Sequence, residues 1–160
     1  MYDPETRKLF QQLLRQEVSC AERLAQLLAE ERDQLTSGDP DTLIGITEDK
    51  AELLKELDRW VAAHEGFLQA RRLPPGKQGS EAFLRTLPER AQEWGLWRRL
   101  QEIAAVCRDG NEINGGIVTL GHARVRRALD LLRGTSVGTT TYGRAGVSNG
   151  DKVSQFIGKV

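Results

Sequence analysis

Two histidines, two cysteines and 23 carboxylates are the side chains here that could carry chemistry, and their spacing decides which chemistry is open. His64 and His122 lie far apart, as do Cys20 and Cys107, whereas a structural zinc site needs closely spaced ligand pairs. We therefore expect no metal and no cofactor. As a metal ligand or proton carrier His64 would need a partner, and His122 is the only other histidine in the chain; the expectation is a surface or rim histidine. The stretch GGIVTLGH lacks the lysine and the spacing of a phosphate-binding loop. The run Glu30-Glu31-Arg32-Asp33 falls on an amphipathic helix, where charges usually form the wetted face. No cysteine or histidine sits in a loop with candidate partners for nucleophilic catalysis. The expectation is a protein that is not an enzyme.

Arg124, Arg126, Arg127 and Arg133 are the one candidate for nucleic-acid contact. They have no interleaved aromatics, and 23 Lys/Arg balance 23 Asp/Glu over the whole chain. A solvated face, or pairing with the acidic N-terminal part, fits them better than nucleic-acid binding. No apolar run approaches the roughly 20 residues that span a bilayer, and the N-terminus shows no secretory signal. Cys20 and Cys107 fall on apolar helix positions, as buried thiols in a reducing compartment do. A cytoplasmic protein without stable membrane insertion is expected.

The elements that carry these residues are helical. Leu, Ala, Glu, Gln and Arg dominate the first 133 positions, and all are good helix formers. Asp3-Pro4 is a helix start. Phe10, Leu14, Ala21, Leu24, Leu28 and Leu35 then trace a seam, which predicts a helix over 4–36. Glu17 and Glu31 interrupt it, either at its solvated edge or as register-fixing partners of basic residues on a neighbouring helix. Gly38-Asp39-Pro40 stops one helix and starts the next, too briefly for anything but an antiparallel hairpin. Ile46, Leu53, Trp60 and Phe67, flanked by Leu43, Leu54, Leu57, Val61 and Leu68, predict a second helix over 40–72. Residues 73–79 read as a Pro/Gly linker, and Ser80 as the cap of a short helix over 81–87.

The longest element is predicted over 94–133, about 60 Å at helical rise. Trp97, Leu100, Ala104 and Cys107 are evenly spaced, and apolar residues continue through Ile113, Ile117, Leu120, Val125, Leu129 and Leu132. Gly110, Gly115, Gly116 and Gly121 each cost about 1 kcal/mol against alanine in a helix, which implies close helix approach or a bend near 115–116. Asn111 and Asn114 lie on or beside the stripe, where an amide specifies register. The character changes near 111–116, and the end beyond it has apolar residues spread round the helix. After Gly134 the composition turns to Gly, Thr and Ser. The expected fold is all-α: an elongated antiparallel bundle of three long helices plus a short connecting helix over 1–134, with a flexible tail over 135–160.

The order of these parts resembles the FlgN family of flagellar export chaperones. The resemblance is carried by the hairpin LLRQEVSCAERLAQLLAEERDQLTSGDPDTLIGITEDKAELLKEL with Lys50 and Leu53-Leu54, by NEINGGIV, and by Thr141-Tyr142-Gly143-Arg144-Ala145-Gly146. It implies a cytosolic chaperone that binds the two hook-associated (hook-filament junction) proteins, keeps their terminal segments apart, and delivers them to the export gate. On that reading Ile113, Ile117, Leu120, Val125, Leu129 and Leu132 contact the substrate protein, and Tyr142 serves export-gate docking. The same six residues could instead be core. The alternative function is a structural helical adaptor or a homo-oligomeric coiled-coil protein using the same surface.

Overall fold

The computed structural model describes residues 2–133, and among these every regular element is a helix: α1 (Pro4–Ser37), α2 (Pro40–Ala70), α3 (Gly76–Leu84) and α4 (Gln92–Leu132). The tail expected over 135–160, with Tyr142, lies outside the described residues. The chain divides into two compact units, Met1–Asn114 and Gly115–Val160. The boundary falls inside α4, within the 111–116 stretch where the sequence changes character.

Helix ends follow local chemistry. Asp3 Oδ1 accepts the Thr6 amide at 2.7 Å, with Pro4 in the first turn. Gly38 closes α1 with φ +69°, the left-handed conformation that costs a residue without Cβ little, and its amide donates to the Gln34 carbonyl. Asp39 then caps α2 through Asp41 and Thr42.

Within the first unit the register is set by cross-helix pairs. His64 faces Glu17 and Lys50 faces Glu31, so residue numbers fall on α2 as they rise on α1: an antiparallel hairpin. Cys107 bonds the Ala21 carbonyl and Asn114 the Leu28 carbonyl, so numbers rise together and α4 runs parallel to α1. Two apolar clusters fill the unit. Phe10, Leu14, Phe67, Leu68, Phe83, Leu84 and Trp97 form one; Leu24, Leu28, Ile46, Leu53, Leu57, Ile103 and Cys107 form the other. Cys20 and Cys107 are buried free thiols.

Four expectations need correction. The short helix begins at Gly76, not Glu81, because the Glu65 carboxylate accepts the Gly76 amide and Gly76 turns with φ +69°. Ser80 is therefore mid-helix, its hydroxyl turned back to the Gly76 carbonyl rather than capping. His64 is buried rather than at a rim, because Glu17 and Ser80 satisfy both of its ring nitrogens. Val61, placed on the apolar face, is exposed.

Candidate functional site

Among the described residues, the one arrangement with a catalytic outline is the line Glu17–His64–Ser80. Glu17 Oε1 lies 2.8 Å from His64 Nδ1, and Ser80 Oγ lies 3.1 Å from His64 Nε2. Carboxylate, imidazole and hydroxyl in that order form the relay that activates a serine nucleophile. Here Ser80 is 1% exposed, so a substrate carbonyl has no approach to its hydroxyl. The line ties α1, α2 and α3 together, and its work is structural.

A second polar cluster closes the first unit. Glu31 Oε1 accepts from Lys50 Nζ at 2.7 Å, while Oε2 accepts from Asn114 Nδ2 at 2.8 Å. The same amide group donates to the Leu28 carbonyl at 2.8 Å, and Asn114 Oδ1 accepts from Arg32 Nε at 3.2 Å. One carboxylate and one amide thereby join three helices, with both carboxylate oxygens and both polar atoms of the amide partnered. This settles the role of Glu31 and Glu17: both fix register from buried positions. A third pair, Arg7 Nε to Glu93 Oε1 at 2.6 Å, fastens the start of α4 to α1. Burial pushes the Glu93 carboxyl up, but hydrogen bonds from Arg7 and from its own backbone outweigh this and hold it below the usual value.

Beyond Asn114 the apolar residues of α4 other than Ile117 are exposed. At about 100° per residue, Gly121, Val125, Ala128 and Leu132 repeat the helical sector that Ile103, Cys107, Gly110 and Asn114 bury in the first unit. Yet Val125 is 59% exposed and Leu132 84% exposed. Leu120 and Leu129 are exposed too, Ile113 is half exposed, and Ile117 is half-buried. At the same 100° per residue the six expected contact residues spread over about half of the helical circumference, Ile113 in the first unit and the other five in the second. Val106, Val118 and Leu131 fall within that half and are exposed large hydrophobics as well. None of these three is among the six; the phase of Val106 and Leu131 with Ile113 and Leu120, and of Val118 with Val125 and Leu129, is the available signal. Among the described residues, Gly115, Gly116 and Gly121 have no atom within 4 Å of where a Cβ would stand, and α4 is unbroken across them. Close approach of another described element therefore does not account for them.

The family model described as FlgN protein matches residues 1–150. The chain belongs to the FlgN family. FlgN proteins are flagellar export chaperones, a family without enzymatic activity. No curated protein and no solved structure matches the chain. No cluster of three metal-ligating side chains occurs among the described residues, and no helix among them is long and apolar enough to cross a membrane.

Proposed function

We propose that this FlgN-family chain binds hook-associated (hook-filament junction) proteins through the face of α4 from Ile113 to Leu132 and delivers them to the flagellar export gate from the cytoplasm. The observation that carries this is the exposed continuation of a buried seam. The sector filled by Ile103, Cys107 and Asn114 repeats as Val125, Ala128 and Leu132 with no cover from the described residues. An amphipathic segment laid along such a stripe removes apolar surface from water at about 25 cal/mol per Å². Ile113, Ile117, Leu120, Val125, Leu129 and Leu132 would meet the substrate protein. Tyr142, by family resemblance, serves docking at the gate.

The test is titration of the full-length chain with purified hook-associated proteins, alongside a Leu120→Asp/Leu129→Asp variant. The expected result is binding by the native chain and at least tenfold weaker binding by the variant at unchanged helical content. Absence of binding to every hook-associated protein would overturn the reading. If the variant instead dissociates a homo-oligomer without altering partner binding, the face belongs to self-assembly and the protein is a helical adaptor.

A further inference from the structure

The same face carries a charge signature that narrows its partner. Residues 115–160 hold seven Lys/Arg against Asp130 and Asp151, while residues 1–114 hold 16 Lys/Arg against 21 Asp/Glu. The position of the arginines matters more than their number. At about 100° per residue, Arg124 falls between the row of Leu120 and Leu131 and the row of Ile117 and Ala128, inside the apolar sector. Arg127 falls at its margin beside Leu120, whereas Arg126 and Arg133 fall on the opposite side. Arg124 and Arg127 are exposed, and neither enters an ion pair among the described residues.

A partner that covers Leu120, Ile117 and Ala128 must also cover Arg124. A wholly apolar partner would strip water from the guanidinium and return nothing, which is strongly unfavourable. A partner carboxylate within one helical turn removes that conflict. The arginine stem packs along the leucines, and the planar fork takes both carboxylate oxygens. Resting on the chaperone reading above, we infer that the partner segment seated on residues 115–132 is an amphipathic helix with carboxylates at the margin of its apolar face, matched to Arg124 and Arg127. The arginines select among apolar helices and set the register of the one accepted.

Two synthetic helical peptides with one leucine stripe, margined by glutamate in one and by glutamine in the other, test this by fluorescence anisotropy against the full-length chain. The glutamate peptide is expected to bind at least tenfold tighter, with the gap shrinking as salt rises. Arg124→Glu/Arg127→Glu is expected to abolish the preference and favour a lysine-margined peptide; Arg126→Glu/Arg133→Glu is expected to keep it. Equal binding of the two peptides, lost in Leu129→Asp, overturns the charge match and leaves the chaperone reading standing. Binding of neither peptide, together with none of the hook-associated proteins, overturns both. Self-association at low salt that Arg124→Glu/Arg127→Glu abolishes, without any peptide preference, assigns the arginines to a second copy and overturns the proposal.

Discussion

Asn114 Nδ2 stands 2.8 Å from Glu31 Oε2, and this contact is made by the last residue of the first unit. Asn114 is 4% exposed, so its amide is a deliberate polar group in a buried seam. Replacing it with alanine leaves one Glu31 oxygen without its donor and the Arg32 Nε–H without its acceptor. A loss of about 1–3 kcal/mol is expected, read as a lower urea midpoint at unchanged slope. A midpoint equal to the native one would show that water satisfies both groups.

Glu17 and His64 form a buried pair, and removing one partner strands the other. His64→Ala is expected to cost about 3 kcal/mol, because the Glu17 carboxylate stays buried without its imidazole. Glu17→Leu/His64→Leu should cost less than the two single leucine changes together, the sign of direct coupling in a double-mutant cycle. Additive losses in denaturant titrations would mean that the 2.8 Å contact contributes nothing of its own.

The glycines separate into two kinds. A Cβ on Gly79 would lie 1.8 Å from the Pro74 carbonyl oxygen, so Gly79→Ala must displace backbone and should destabilise by about 2 kcal/mol or more. Gly115→Ala and Gly116→Ala meet open space and should each favour the helix by about 1 kcal/mol. Far-UV circular dichroism during thermal unfolding reads both effects, and a neutral Gly79→Ala would refute the close approach.

Acid stability follows from Glu93. Its folded-state pKa is held below the ordinary value, since Arg7 and its own backbone outweigh burial, so the native state binds fewer protons than the unfolded chain. That contribution is present above the unfolded glutamate value of about 4.3 and fades as pH falls through the lower folded value. Asp3 and Asp39 act in the same direction, through hydrogen bonds from Thr6 and from Thr42. Glu93→Gln should therefore flatten the loss of stability below roughly pH 4. Cys20 and Cys107 give the opposite limb: burial raises both thiols, so their contribution is lost as pH rises through the folded values. Denaturant midpoints across pH check both limbs.

Where one helix stops and another starts was legible because the signals are local: Asp3-Pro4 and Gly38-Asp39-Pro40 act within a few residues of themselves. The start of α3 was not, since it depends on Glu65 reaching across to the Gly76 amide. The burial of His64 was illegible for the same reason: its carboxylate partner is supplied by another helix, 47 residues earlier. Leucine spacing located the seams but carried no sign of which helices run parallel; the pairs Arg7–Glu93 and Leu28–Asn114 do. The division of α4 near Asn114 was visible as a change in apolar pattern. Which apolar residues stay exposed depends on where the cover of α1 ends, a tertiary fact.

The central claim is that the face of α4 beyond Asn114 is the binding surface. Hydrogen exchange of the full-length chain, alone and saturated with a purified hook-associated protein, tests it most directly. Amides of residues 115–132 are expected to gain protection on binding while those of α1 and α2 keep theirs. Protection gained on the α1–α2 hairpin, with residues 115–132 exchanging as in the free chain, would contradict it.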